Sequence, residues 1–480
     1  GMIDKAAAVG GFEKTCGKTS DLIITEFTAL GRASAFVYID GIIDKDVFEL
    51  NIVKPLKNAR KRVDDEGIAA FLDERTRPTT PVKREETLDK AIEAVADGDI
   101  VLIMQNAPCF FIYSERKYPI RAVAEPPVSN VLRGPRDGFV EDMKTNMTLI
   151  RRRLRTPKLR FDIKYVGRLS HTSVAIAYID GVADGKIVAE VKARLSAMDI
   201  DGVVEAAYVA RYLEEDNFSL FDQVGTSEKP DSVAAKLLEG RVAVVIDGSP
   251  VVLTVPFVMF EHLQAAEDYY VKSYRATLLR AIRVLALTVA VLLPAAYVAL
   301  QEFQYQMFPL KFLVTIMNSV YGIPLTPTIE MLVVLTIFEI LSEASVRMPR
   351  YIGMAVSIVG ALVLGETAVN AGLLSMPTVL IISVSTIGIY CVPDEANSAS
   401  VLRLVFVAVA GVLGLFGIIL ASVALMAYLA DLRNFGTSYL APFAPALTDD
   451  WKDAVIKGNV MEQTERPYSI PTSNRTRQKR

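Results

Sequence analysis

Three carboxylates stand where a carboxylate is costly. Glu330 and Glu339 interrupt the apolar run Leu325–Leu341 (LTPTIEMLVVLTIFEIL), and Glu343 follows it. An ionisable group in such a run is desolvated unless it meets water or a protein partner. Each therefore marks an ion path or a buried pair. Glu339 and Glu343 are four residues apart and share one helix face. Arg347 and Arg350 come next, so Glu343 is expected to pair with Arg347 at an interface. Glu339 has two readings, the lining of an aqueous path or a buried structural hydrogen bond. Glu366 and Asn370 form another pair four apart, near the end of Gly353–Ser375. Such groups hold or pass ions; nothing in their spacing makes or breaks covalent bonds.

A denser cluster lies upstream. Gly134-Pro135-Arg136-Asp137-Gly138-Phe139 leads into Val140–Arg155 (VEDMKTNMTLIRRRLR). Glu141 and Asp142 come early, and Arg151, Arg152, Arg153 and Arg155 come late. Acids at the start and bases at the end complement the helix dipole, which predicts a solvated helix end. The functional readings are a surface for an acidic partner or for anionic lipid headgroups. The interaction candidates are Arg136, Glu141, Arg151, Arg152, Arg153 and Arg347.

Catalytic chemistry is not signalled. Gly11–Thr19 (GFEKTCGKT) resembles a phosphate loop, but five residues separate its glycines and no strand precedes it. That loop needs four to aim its backbone N–H groups at phosphates. There is no G-x-S-x-G elbow and no H-E-x-x-H pair. The two histidines, His171 and His262, cannot build a His-rich metal site. Cys16, Cys109 and Cys391 are not paired at metal or redox spacing, and an odd count suits a reducing compartment. No enzyme activity, metal or cofactor is expected. A net charge of −3 argues against a nucleic-acid binder.

The elements that must position these residues follow from the apolar pattern. The chain is 51% hydrophobic with 22% charged residues, and the charges gather in residues 1–283 and 431–480. Between them run Val284–Leu300, Leu325–Leu341, Tyr351–Leu364, Pro377–Val392 and Val401–Tyr428. A bilayer core of about 30 Å is spanned by roughly 17–25 helical residues, so these runs predict five transmembrane helices. A buried core of a soluble protein fits so many runs poorly. Pro309–Ile323, with Lys311 and Asn318 inside, reads as a re-entrant half-helix or a sixth crossing. Lys272, Arg275, Arg280 and Arg283 precede the first run and favour a cytoplasmic N-terminal region. The basic tail (Arg466, Arg475, Arg477, Lys479, Arg480) favours the same side, hence an even number of crossings, which the Pro309–Ile323 segment would complete. No cleavable signal peptide is expected. Pro256–Tyr274, aromatic and charged by turns, suits a membrane interface.

The region before the membrane block is doubled. Ala35–Leu56 (AFVYIDGIIDKDVFELNIVKPL) and Val174–Leu195 (VAIAYIDGVADGKIVAEVKARL) both predict a strand, an Asp-Gly turn and a helix. Gly98–Tyr113 and Gly240–Val255 both predict hairpins. Gly41 and Gly181 are 140 residues apart, and Gly98 and Gly240 are 142 apart. Nearly equal offsets indicate duplication. The expected fold is an α/β soluble region of two related lobes followed by an all-α polytopic membrane domain. Its parts are a flexible N-terminus (1–20), a first lobe (21–133), a connecting basic helix (134–160), a second lobe (161–270), the transmembrane domain (271–430) and a polar tail (431–480).

On these residues the chain resembles the A subunits of the GerA family of spore germination receptors. The carriers are Arg133–Glu141 (RGPRDGFVE), Thr145-Asn146, Leu149–Leu154 (LIRRRL), Asp199–Gly202 (DIDG), Glu228–Asp231 (EKPD), Leu238–Arg241 (LEGR) and Glu267–Tyr270 (EDYY). In the apolar block and beyond come Glu343–Pro349 (EASVRMP), Val359–Gly365 (VGALVLG), Ala368-Val369, Phe435-Gly436 and Tyr439–Pro442 (YLAP). A SpoVAF-type sporulation protein shares this architecture. The resemblance implies a subunit in the spore inner membrane, with a transporter-like B subunit and a lipoprotein C subunit as partners. It also implies a homo-oligomeric ring, a pentamer in the family picture, that releases monovalent cations. A secondary transporter and a membrane-anchored scaffold are the competing readings.

Overall fold

The uninterrupted apolar runs Ile100–Met104 and Val242–Ile246 are strands with both faces buried, which is why neither alternates with polar residues. They sit at the centres of two five-stranded antiparallel sheets. The computed structural model describes residues 2–17, 19–59, 68, 71, 72, 76, 81–117, 134–347, 358–360, 362–459, 461 and 463–478. The first sheet comprises β1 (Leu22–Ala29), β2 (Arg32–Ile39), β3 (Lys83–Glu85), β4 (Ile100–Met104) and β5 (Phe110–Tyr113) in the order β1-β2-β4-β5-β3. The second comprises β6 (Leu159–Val166), β7 (Thr172–Ile179), β8 (Gly225–Ser227), β9 (Val242–Ile246) and β10 (Val252–Val255) in the order β6-β7-β9-β10-β8. The two orders are the same.

Helices cover both faces of each sheet. In the second, Val242, Val244 and Ile246 pack under the helices Gly185–Ser196 and Ala206–Leu213, while Ala243 and Val245 pack under Met143–Arg153 and Pro230–Glu239. Full burial of each Val or Ile side chain contributes about 1.5–3 kcal/mol. Side chains that cap their own helix fix the starts. Asp142 accepts from Thr145 N at 2.7 Å, and Asp184 accepts from Lys186 N at 2.9 Å.

Three expectations need correcting. Residues 1–20 are not a flexible terminus, because Lys5–Cys16 is a helix whose Ala8, Phe12 and Cys16 are buried on the first sheet. Residues 134–160 do not merely connect the lobes. Met143–Arg153 packs on the second sheet as Lys5–Cys16 packs on the first, so it is the first helix of the second unit. The tail is not a free polar extension. Phe435 is buried in the core of the second lobe, and Ser473 donates from N to Val182 O at 3.0 Å and from Oγ to Ala183 O at 3.0 Å. At the matching place in the first lobe, Lys117 N donates to Ile42 O at 2.7 Å. The tail thus fills in the second lobe the position that the chain after β5 fills in the first.

The helical region follows. Ser273–Glu302 and Pro393–Asp431 are long and apolar enough to cross a membrane. Pro327–Arg347 has 21 residues but carries Glu330, Glu339, Glu343 and Arg347. Ile358–Asn370 and Met376–Tyr390 are shorter. Most of the expected run Tyr351–Leu364 lies outside the described residues, as do Arg133, Arg350, Met348, Pro349, Lys479 and Arg480. Pro309–Ile323 contains only the 11-residue helix Leu310–Val320.

The last run, expected as one span, folds back on itself. Ser398 Oγ donates to Leu220 O at 2.9 Å, and Tyr428 OH donates to Asp216 Oδ2 at 3.1 Å. Thirty residues of straight helix would separate Ser398 from Tyr428 by about 45 Å. The stretch Asp216–Leu220 can reach at most about 17 Å. The turn is at Gly414, with φ 62° and ψ −148°, a backbone conformation that favours glycine. A Cβ at Gly417 would come within 3.0 Å of Val409 O, an approach that only adjacent arms make. Two arms result, 396–413 and 415–431, both ending beside the second lobe.

Candidate functional site

Carboxylates at the end of the bundle away from the sheets hold helix starts. Glu302 accepts from Thr328 N at 2.9 Å and from Thr328 Oγ1 at 2.7 Å, at the start of Pro327–Arg347. Glu330, fully buried, accepts from Ser375 N at 2.5 Å, at the start of Met376–Tyr390. A helix N-terminus exposes unpaired N–H groups and the positive end of its dipole, so an anion there is stabilised.

Deeper in the bundle lies an ion pair. Arg403 Nη2 donates to Glu339 Oε1 at 2.6 Å, and Nη1 reaches Ser385 Oγ at 3.1 Å and Thr386 Oγ1 at 3.3 Å. The two partners differ in access: the Arg403 side chain is 2% exposed and that of Glu339 37%. The carboxylate thus bridges the packed interior and the outer face. The sequence offered a signal for this pair, since two opposite charges interrupt two apolar runs. The expected run Val401–Tyr428 puts Arg403 near its start, whereas the helix begins at Ala396 and buries Arg403 two turns in.

The remaining polar candidates lie on the outer face. Glu343 pairs with Arg347 at 2.5 Å, and both are exposed. Glu366 and Asn370 are exposed on the neighbouring arm, beside exposed Thr367. Leu341 lies where a Cβ on Gly360 would meet it, so these two arms touch. Thr336 is exposed between them in depth. Thr336, Glu339 and Glu343, three and four residues apart, share one face of Pro327–Arg347, and Glu366 and Asn370, four apart, share one face of the neighbouring arm; together these five make up the polar strip of two touching arms.

Where the bundle meets the second lobe, a second charge cluster forms a clamp. Asp268 is fully buried and accepts from Arg280 Nε at 3.1 Å and from Arg283 Nη1 and Nη2 at 2.7 and 3.0 Å. Arg280 also donates to Asp453 O at 2.7 Å and Ala454 O at 2.9 Å, which brings in the tail. Burial pushes the Lys457 ammonium below its usual range, against the pull of Asp453. One turn upstream, Glu261 pairs with Arg241 and with Lys236 at 2.9 Å. Burial alone would raise its carboxyl, but Arg241 and Lys236 outweigh it and hold the pKa at about 2. In the sequence Arg280 and Arg283 read as topology signals only, because their partners are distant along the chain.

The interaction candidates separate in space. Arg151 is buried and pairs with Asp21 at 2.6 Å, while also donating to Thr156 O and Leu159 O at 3.2 Å each. It ties the first lobe to the second. Arg153 chelates Asp137, with both oxygens at 2.6 Å. Arg136, Glu141 and Arg152 are exposed. Most of the phosphate-loop look-alike lies in the helix Lys5–Cys16, and Thr19 Oγ1 donates to Asp21 at 2.5 Å.

Residues 11–469 match the family model described as Bacillus/Clostridium GerA spore germination protein. Spore germination protein KA of Bacillus subtilis (strain 168) is 35% identical over 97% of this chain and 86% of its own length. Spore germination protein GerLA of Bacillus cereus is 34% identical over 96% of this chain and 94% of its own. A crystal structure of the N-terminal domain of the A subunit of the Bacillus megaterium spore germinant receptor GerK3 aligns at 26% identity with a TM-score of 0.43. It covers 53% of this chain and 96% of that one.

Proposed function

The chain belongs to the Bacillus/Clostridium GerA spore germination protein family, and we propose that it is the A subunit of a germinant receptor forming a gated cation channel. In this reading the bundle crosses the spore inner membrane six times. The crossings are 273–302, 327–347, the arm ending at Asn370, 376–390, 396–413 and 415–431. The fold-back at Gly414 supplies the sixth, in place of Pro309–Ile323. Both ends of the bundle return to the second lobe, which fits the even count and a cytoplasmic N-terminal region.

The observation that carries the channel reading is the polar strip on the outer face. Glu339, half-exposed, lies midway along its arm and Glu366 lies one turn from the end of its own, where hydrocarbon would cost several kcal/mol per charge, about 2.5–3.5 on insertion scales. Several copies that turn this strip inward would surround a wet lumen with it. A transporter-like B subunit and a lipoprotein C subunit complete the proposed complex, and nutrient binding by a partner biases the ring between two states. The clamp at Asp268 and the buried Phe435 connect lobe movement to both ends of the bundle.

The test is cation flux from vesicles holding the receptor purified through a tag on this chain. Glu366→Gln is expected to change the Na⁺/K⁺/Cl⁻ permeability ratios while the assembled mass stays the same. Unchanged ratios would remove Glu366 from the lumen.

A further inference from the structure

The segment between the first two long arms is an unexplained surface. It begins after Glu302 and ends at Thr328, two residues that hydrogen-bond to each other, so both its ends lie at the bundle end away from the sheets. Its helix Leu310–Val320 buries only Ile316, which joins the bundle core with Leu374. A hydrophobic surface this open has no place in water.

At about 100° per residue, ten of the eleven side chains of this helix fall into three arcs, while Phe312, 52% exposed, lies between the polar arc and the bundle and packs edge-on against Phe308. Ile316, Leu313 and Val320 face the bundle and are buried or half-buried. Leu310, Val314 and Met317 form an exposed apolar arc, at 75, 48 and 62% exposure. Lys311, Thr315, Asn318 and Ser319 form the polar arc. Thr315 Oγ1 donates to Lys311 O and Ser319 Oγ to Thr315 O, each at 2.9 Å, so both hydroxyls are satisfied without water. Tyr305 and Tyr321, both exposed, flank the helix.

We propose that Leu310–Val320 lies flat in the distal membrane–water interface, with Leu310, Val314 and Met317 in the edge of the hydrocarbon. This rests on the reading that the bundle crosses a membrane. Three arcs in the order protein, lipid and water are what such a position requires, whereas a crossing needs apolar contact all round. The helix it packs on, Met376–Tyr390, also presents exposed apolar side chains at and just before its start, Leu373, Met376 and Leu380. Flanking tyrosines suit the headgroup level. With Lys311 as the one charge, the occupant that fits is a lipid surface rather than a charged protein partner. The helix would pin the distal ends of the first two arms at a fixed depth.

The test uses the full chain in phosphatidylcholine–phosphatidylglycerol vesicles, with exposed Cys391 replaced by Ser. Nitroxide labels go on Leu310→Cys, Val314→Cys, Met317→Cys, Thr315→Cys and Asn318→Cys, one at a time. Collision with oxygen is compared with collision with a water-soluble nickel chelate. The oxygen-to-nickel ratio should be severalfold higher at 310, 314 and 317 than at 315 and 318. Equal nickel access at all five sites would overturn the proposal, as a water-exposed appendage. Silence to both reagents at 310, 314 and 317 would also overturn it, as a protein-covered face. Control labels at Leu380→Cys and Ile387→Cys probe the bundle itself. Nickel access at these controls would refute the membrane reading, a failure distinct from that of the helix.

Discussion

Replacing Asp268 by Asn tests how the second lobe holds the bundle. The carboxylate is fully buried and accepts four hydrogen bonds, one from Ala265 N at 3.1 Å and three from Arg280 and Arg283. Asparagine keeps the shape but removes the charge, leaving Arg280 to Asp453 and leaving Arg283 with no carboxylate at this site. Breaking one partner of a buried ion pair costs about 3–5 kcal/mol. If the cost falls on the joint alone, its open population rises by about two to four orders of magnitude. Hydrogen exchange on the full chain in detergent or nanodiscs reads this directly. Amides of 262–280 and 453–458 should exchange faster by that factor, while those of β9 and β10 should stay unchanged. Asp268→Asn combined with Arg283→Met should recover part of the loss, because the orphaned cation is gone. Less than a tenfold change at the joint would refute the clamp.

Glu339→Ala strands Arg403 and should lower thermal stability of the assembled protein by about 3–5 kcal/mol, with Arg403→Met partly restoring it; additive losses would contradict the pairing. Phe435→Ala removes a core ring and with it the cation–π contact of the Arg194 guanidinium, 4.2 Å from the ring centroid. It should cost about 3–5 kcal/mol in denaturant unfolding and speed proteolysis of the tail. Glu261, held at about 2 against an ordinary 4.5, stabilises the fold fully above pH 4.5, and that stability is lost as the pH falls toward 2. The gap is worth about 3 kcal/mol, so the advantage of the native chain over Glu261→Gln in melting temperature should shrink across that window; a pH-independent difference would exclude it. Gly414→Ala puts a side chain at φ 62° against Gln304 and Phe303, and should cost about 1–3 kcal/mol and lengthen the distance between spin labels placed at 398 and 428.

The doubled architecture was legible because each copy writes its own local pattern. The Tyr-Ile-Asp-Gly turns and the two hairpins recur at matched offsets, and these are the strand, turn and helix junctions of the two sheets. The helix Lys5–Cys16 was not legible, since only Ala8, Phe12 and Cys16 are buried in a stretch that also holds two glycines. The equivalence of Met143–Arg153 was hidden because Arg151 looks like a solvated helix end and is instead paired with Asp21, 130 residues away. The tail docks largely through backbone carbonyls of Val182, Ala183 and Leu238, which leave no trace in side-chain pattern. The fold-back at Gly414 was hidden for a different reason. Both arms face the same surroundings, so no polar residue interrupts the run at the turn. The acids of the apolar block were legible as costly groups, but their partners depend on how separate runs pack.

In the proposed channel, copies of this chain enclose a lumen lined by the polar strip. Single-channel recording in a planar bilayer tests it most directly, using the receptor purified through this chain with its mass measured in parallel. The expected result is a multi-copy assembly with a cation-selective conductance that Glu366→Gln alters. A single-copy particle that carries no current, or a current indifferent to Glu366, Asn370 and Glu339 alike, would contradict it.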